Sequence, residues 1–411
     1  MSSSVPTAAG NMPPRPHPRL IIALLGALSL VSPFAIDLYL PAFPQMAAEL
    51  GTSTAVVSLS LSSYFIGLAL GQIIYGPFLD RFGRKPPIYF GLTLFILVSL
   101  GCLFVRHVHA LIALRFIQAL CGGVAQVAAV AMVRDFFPGK DVAKVFSLVF
   151  LCIGVSPLLA PSLGGLIVLK AGWDMIFLFL AVLGAVILAL TYWFLPEPHA
   201  PDPSISLRLG PIIHEFLHIL RNRWFFTYAV SGSFSFAGLF TYVAGSPIIF
   251  MEGFHLSPQA YSGVFALLTM GFIGANQLNV LLLRTYASKV IYARAVWVQT
   301  VTGLIFLLGA LFGGYGLPAT MFLFFIFLSC AGLTYPNAAA LALAPFSKNT
   351  GSASSLLGLL QMGVGAVISA GIGLSHSTGS LPIIAILAAT ATLGLLILLA
   401  GRHRLPTHSS P

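Results

Sequence analysis

The sequence predicts an all-α integral membrane protein, with twelve transmembrane helices arranged as two six-helix halves. Three observations predict this. The chain of 411 residues is 58% hydrophobic and only 7% charged, against roughly 25% charged in a soluble domain. So few charges cannot cover a water-facing surface. Apolar runs of about twenty residues, the length that crosses a bilayer, recur along the whole chain. The basic residues fall almost entirely on alternate connections between those runs.

The predicted spans are 20–42, 54–76, 87–105, 109–133, 144–168, 175–195, 224–249, 259–283, 290–312, 318–342, 351–374 and 381–400. The 40 Gly and 27 Pro suit membrane helices, which tolerate both. The first run is too long for a cleavable signal peptide and lacks a small-residue cleavage site, so it is expected to remain as a span. An even number of spans puts both termini on one side. On that side lie Arg15, Arg19, Arg81, Arg84, Lys85, Arg134, Lys140, Lys144, Arg208, Arg221, Arg223, Arg284, Lys289, Arg294, Lys348, Arg402 and Arg404. The opposite side carries only Arg106 and Lys170, and Arg115 falls inside a span. Seventeen of the 20 basic residues on one side place that side, and both termini, in the cytoplasm. The net charge of +10 is therefore topological, and no nucleic-acid partner is expected. The four cysteines fall inside apolar runs at unrelated spacings. They read as small core residues, with no disulfide or metal framework.

The longest connection, residues 196–223, begins with the Pro-rich EPHAPDP. It divides the chain into a cytoplasmic tail (1–19), a first half (20–195), a linker with an amphipathic helix (196–223), a second half (224–400) and a second tail (401–411). Parallel six-helix halves are a transporter architecture whose substrate site lies between them.

Several motifs carry chemistry. GPFLDRFGRKP, residues 76–86, reads as a tight cytoplasmic loop in which Gly83 permits the turn. Asp80 among Arg81, Arg84 and Lys85 offers ion pairs, and Asp135 at the end of span four is a partner for Arg84. In span four Arg115, Gln118, Gly122 and Gln126 share one helical stripe. An arginine inside a span costs about 2.5–3.5 kcal/mol on insertion scales, so it is expected to face a cavity or a partner; polar glue between helices is the other reading. In span five Gly154, Pro157, Pro161 and Gly165 share a face that allows close packing. HEFLH, with His214 and His218, satisfies a zinc-protease pattern, but no third ligand is evident. Leu209, Ile212, Ile213, Phe216, Leu217 and Leu220 give the same segment an apolar face, which reads as a helix lying on the inner leaflet. No G-x-x-x-x-G-K-[ST] is present, so direct ATP drive is not expected.

Asp37, in SPFAIDLYLP, and Arg115 are the formally charged side chains well inside predicted spans. Asp37 lies 18 residues past Arg19 and Arg115 lies 19 before Arg134. At 1.5 Å per residue these are rises of about 27 and 28 Å, so both sit at one level in the outer half of the membrane. Either both are hydrated near the outer interface, or Asp37 faces a central cavity where it binds a proton in one state and releases it in another. Polarity alone adds Gln118, Gln126, Tyr242, Asn276, Tyr335 and Asn337 as cavity candidates, each equally readable as interhelical glue.

Gly76, Asp80, Arg81, Gly83, Arg84 and Lys85 resemble the G-x-x-x-D-R-x-G-R-K loop signature of the major facilitator superfamily. In that family the loop latches the cytoplasmic ends of the halves in the outward-facing state. R-x-x-Q-x-x-x-G around Arg115 resembles its span-four motif, and GVSPLLAPSLGG, containing Gly154, Pro157, Pro161, Gly164 and Gly165, its antiporter motif, with Ala160 in place of a glycine. AIDLYLPAFPQMAAEL, TYPNAAALALAPF and GSASSLLGLLQMGVGA look like segments of the bicyclomycin-resistance (Bcr/CflA) drug/proton antiporters. The resemblance implies the facilitator fold, proton-coupled efflux of small, largely apolar drugs by alternating access, and a monomer in the bacterial inner membrane with no cofactor. It also implies proton-coupling roles for Asp37 and Arg115. The alternatives are an exporter of one native metabolite such as a siderophore or nucleoside, an uptake symporter, and an intramembrane zinc protease.

Overall fold

The computed structural model describes residues 17–137, 141–205, 207, 209–346, 350–374 and 379–402. The tails to residue 16 and from residue 403, and with them Arg15 and Arg404, lie outside the described residues, as do Lys140, Arg208 and Lys348. The helices in chain order are α1 (Pro18–Asp37), α2 (Phe43–Glu49), α3 (Thr54–Phe82), α4 (Lys85–Cys102), α5 (Val108–Phe136), α6 (Asp141–Ala171), α7 (Asp174–Phe194), α8 (Leu209–Leu220), α9 (Arg223–Pro247), α10 (Pro258–Leu282), α11 (Ser288–Leu311), α12 (Leu317–Leu343), α13 (Thr350–Leu374) and α14 (Leu381–Arg402). Twelve segments are long and apolar enough to cross a membrane, the first joining α1 to α2 and another extending α9 by a π-helical turn over Ile248–Gly253.

Packing follows two groups. Helix α5 lies against α1, α3 and α4, and α7 against α1 and α4; α9 lies against α12, α13 and α14, and α12 against α10 and α11. The most extensive pairings between the groups are α3 with α13 and α6 with α10, and α3 also touches α9. The end that carries the beginning of α1 and the end of α14 is called the inner end, and the opposite end the outer.

Three elements differ from the sequence expectation. The first span does not run as one helix to residue 42: α1 stops at Asp37, a single 3₁₀ turn covers Leu40–Ala42, and α2 resumes at Phe43. Pro41 is the reason. It has no N–H to give the Asp37 carbonyl four residues back, and its ring clashes with that carbonyl in a continuous helix. The 76–86 segment is not a loop: α3 continues through Pro77 to Phe82, and the connection is only Gly83, at φ +84°, and Arg84. The i,i+4 placement of Asp80 and Arg84 stabilises this extra helical length. Helix α8 does not turn all its predicted apolar face outward. Phe216 and Ile219 are buried against Phe225, Leu356 and Leu357, each worth about 1.5–3 kcal/mol, while Ile213 and Leu217 remain exposed.

Candidate functional site at the break in the first helix

A helix end leaves its last carbonyls without intrahelical donors and carries partial negative charge. Because Pro41 ends α1 inside the bundle, those carbonyls are buried, and each needs a partner. The Arg115 guanidinium of α5 supplies one: its Nη2 donates to the Ala35 carbonyl at 2.6 Å. Nη1 donates to Gln118 Oε1 at 2.5 Å, and Gln118 Nε2 donates to Ser99 Oγ of α4 at 2.6 Å. The guanidinium carbon stands 4.2 Å from the Tyr39 ring centre and 4.3 Å from that of Tyr64, with Phe177 at 5.9 Å. Arg115 is 0% exposed. A desolvated cation between two aromatic faces gains about 2 kcal/mol or more. The negative helix end and the aromatic faces thus replace the carboxylate that a buried arginine usually requires.

Asp37 is not that carboxylate. Among the described residues the ion pairs are those of Arg84, and none joins Asp37 to Arg115. Asp37 is 5% exposed, so it is not hydrated at the outer interface. Just beyond it, the 3₁₀ turn Leu40–Ala42 packs on α9 and α10, both in the second helix group. Among the described residues there, Tyr261 shares a hydrogen bond with Ser246 at 2.8 Å, while the buried Tyr242 hydroxyl has no partner. The acid therefore stands next to the seam between the groups.

The next carbonyl past the break, Leu38, packs on α6. A Cβ on Gly164 would lie 1.8 Å from that oxygen, so only glycine admits the contact. Gly154 and Gly165 face α10 instead. There Ser262 donates to the Pro161 carbonyl at 2.8 Å and Gln259 to the Gly165 carbonyl at 3.3 Å. Helix α6 stays continuous through Pro157 and Pro161. Further outer-end contacts join the two groups: Thr54 of α3 donates to Glu252, and Ser62 bonds Ser369 at 2.8 Å.

At the inner end Arg84 Nε donates to Asp135 Oδ2 at 2.8 Å and Nη1 to Asp80 Oδ1 at 2.6 Å. The sequence reading missed Glu197. Its two carboxylate oxygens accept from the backbone N–H of Arg84 and Lys85 at 2.8 and 2.7 Å, capping α4. Arg81 Nη1 donates to the Ile205 carbonyl at 2.6 Å and Asp202 N to the Asp80 carbonyl at 3.2 Å. These contacts of the 80–85 segment are to its own helix group and to the linker. Arg84→Ala leaves Asp135, with 18% of its side chain exposed, without its partner. The expected cost is about 1–3 kcal/mol, read as a melting temperature in detergent lowered by several degrees while Arg84→Lys recovers part of the loss.

The remaining polarity-based candidates separate. Gln118 is buried in the Arg115 bond network, and Asn337 is buried between Ser288 Oγ at 2.6 Å and Asn279 Oδ1 at 2.6 Å; both are interhelical glue. Gln126, Asn276 and Tyr335 are half-buried. Tyr335 lies beside Phe236 at 4.5 Å, and Phe240 joins Phe236 at 5.2 Å and Phe65 of α3 at 4.4 Å. This aromatic wall was also missed, because phenylalanines in an apolar helix look like ordinary core. His214 and His218 of α8 are exposed, and the described residues hold no group of three metal-ligating side chains.

Comparison with known proteins follows the same lines. Residues 25–370 match the Major Facilitator Superfamily. The chain is 32% identical to the uncharacterized MFS-type transporter YdgK of Bacillus subtilis, over 92% of this chain and 94% of that protein. It is 32% identical to a bicyclomycin resistance protein homolog of Haemophilus influenzae (85% and 87%) and 34% identical to the multidrug resistance protein MdtL of Escherichia coli O157:H7 (82% and 84%). In fold it matches the nucleoside transporter NupG with a TM-score of 0.73 at 13% identity, covering 94% of this chain and 99% of that one. A bundle with twelve candidate membrane spans, a basic α3–α4 connection at the inner end and this set of relatives places the chain in the major facilitator superfamily of transporters, in its bicyclomycin-resistance (Bcr/CflA) branch.

Proposed function

We propose that the chain exports small, largely apolar compounds, drugs among them, across the bacterial inner membrane in exchange for protons. It works as a monomer with both termini in the cytoplasm, needs no cofactor, and draws its energy from the proton gradient. The observation that carries this reading is Asp37: an acid with no cationic partner among the described residues, buried at a helix break whose next turn packs on the other half of the bundle. Such a group takes up and gives back a proton as the halves rock. Arg115 acts by holding the break, through the Ala35 carbonyl and the Tyr39 ring, and not by pairing with the acid.

The state of the bundle supports alternating access. The outer ends are joined by Thr54–Glu252 and Ser262–Pro161. Along the α1 stripe that leads inward from Asp37, burial falls step by step: Phe34 is buried, Leu30 and Ala27 half-buried, Ala23 exposed. This fits an inward-facing conformation in which the stripe opens toward the inner end, with the 80–85 segment bonded, among the described residues, only to its own half and the linker. The cluster of Phe236, Phe240, Phe65 and Tyr335 joins α9, α12 and α3 through ring contacts and is largely buried in this conformation. Opened as the halves rock, such rings accept many apolar or aromatic molecules and set few directional demands, which favours broad drug efflux over a dedicated metabolite exporter.

Everted membrane vesicles with an imposed pH gradient test this. Adding a substrate drug should dissipate part of the gradient, and a protonophore should stop drug accumulation. Accumulation that persists after the gradient is collapsed would overturn proton coupling. Arg115→Lys keeps the charge but loses the planar stack and the two-armed donation. It is expected to lower the melting temperature by several degrees, at a cost of about 1–3 kcal/mol, and to reduce transport without changing which drugs are recognised.

A further inference from the structure

From the start of α8 onward the chain holds eight Lys or Arg and two acids, Glu215 and Glu252. Glu252 is bonded to Thr54 at the outer end, and among the described residues Glu215 makes no ion pair. The described basic residues of this stretch lie at the inner end, so cations outnumber acids there. Two of them are arranged around a groove. Between the end of α8, the start of α9 and the end of α14 lies a recess of about 300 Å³, lined by Leu220, Arg221, Arg223, Phe226, Ile397 and Ala400 among others. Both arginines are exposed, and neither side chain makes an ion pair, hydrogen bond or ring contact among the described residues. Lys289 and Arg294 differ, for they rest on the rings of Trp224 and Tyr286. The groove floor is apolar, Phe226 is 48% exposed on it, and Ile213 and Leu217 of α8 stand bare beside it.

We propose that this groove binds one anionic phospholipid at the inner end. Its phosphodiester is held between Arg221 and Arg223, and one acyl chain lies along Phe226 and Ile397. Two guanidiniums at the rim of an apolar channel match a molecule with a phosphate at one end and hydrocarbon at the other. A soluble anion has no use for the channel, and a zwitterionic lipid gains less from the unpaired cations. The bound lipid fastens α8, and through it the central linker, to the second half.

The test uses the full chain in nanodiscs of phosphatidylcholine with added phosphatidylglycerol. Lipids retained per chain are counted by native mass spectrometry, alongside the melting temperature. Phosphatidylglycerol should be retained at one tight site and raise the melting temperature. The double variant Arg221→Gln/Arg223→Gln should melt like the unaltered chain in pure phosphatidylcholine and retain the anionic lipid at least roughly tenfold more weakly. Should that variant fail to fold, Ala400→Phe, which fills the groove but keeps both arginines, should weaken retention in the same way. Equal retention by these variants, equal retention of phosphatidylcholine, or the same stabilisation by inorganic phosphate alone would overturn the proposal. None of these outcomes depends on which compound is transported.

Discussion

Asp37→Asn is expected to abolish uphill drug export while leaving drug binding within severalfold of the unaltered chain. Asparagine keeps the shape of the side chain and its hydrogen-bonding reach but cannot exchange a proton. The site around it is built to tolerate a neutral group: among the described residues no cation pairs with Asp37. The fold should therefore survive. The energetic consequence can be estimated. One proton moving inward across 100 mV releases about 2.3 kcal/mol, enough to sustain roughly a 50-fold concentration ratio of a neutral substrate. Without the exchange, the transporter can only equilibrate its substrate, and the ratio falls to unity. Cells that express the Asn variant should lose resistance, and drug addition to vesicles should no longer dissipate the pH gradient. Direct binding of a fluorescent drug to the purified variant separates loss of coupling from loss of the site. Full resistance in cells carrying Asp37→Asn would remove the acid from the mechanism.

What the sequence made legible was set by properties that do not depend on tertiary contact. Apolar run length located the spans, and the side of each basic residue ordered them. Arg84 and Asp135 were matched because both end adjacent helices on one side. The break at Asp37 lay within reach as well, since Pro41 stands four residues beyond it, yet an apolar run reads as one helix through a proline. The partners of the break were not legible. Tyr39, Tyr64 and Phe177 come from three separate parts of the chain, and an aromatic residue in an apolar helix carries no mark of whether it stacks on a cation. Glu197 was hidden for another reason. It sits in a Pro-rich connection, where an acid ordinarily faces water, and only the approach of the α4 start converts it into a cap. Gln118 and Asn337 show the converse: polarity in a span signals a hydrogen bond, and the bond can go to a neighbouring helix as readily as to a cavity.

Gly164→Ala is expected to cripple the transporter more than any other single methyl group added to it. The Leu38 carbonyl approaches α6 at Gly164 because the break at Pro41 leaves it outside a helix, and a new Cβ would stand 1.8 Å from that oxygen. Overpacking a core usually costs about 1–3 kcal/mol because side chains can rotate away. Here the obstacle is backbone on both sides, so either α6 moves off α1 or the break refolds. Both responses displace Asp37, one residue before Leu38, and both loosen the α6–α10 contact made by the adjoining Gly165. Expression or thermal stability should fall clearly, and any protein that folds should export poorly at every drug concentration. Two controls fix the interpretation. Gly263→Ala adds its methyl group to open space in α10 and should behave as the unaltered chain. Gly165→Ala meets Ser262 Oγ at 3.2 Å and the Pro258 carbonyl oxygen at 3.3 Å, a much smaller overlap, and should show an intermediate effect. A Gly164→Ala chain indistinguishable from Gly263→Ala in melting temperature and efflux would mean that the α1 break does not depend on its seat against α6. The geometry that places Asp37 next to the seam would then have another origin.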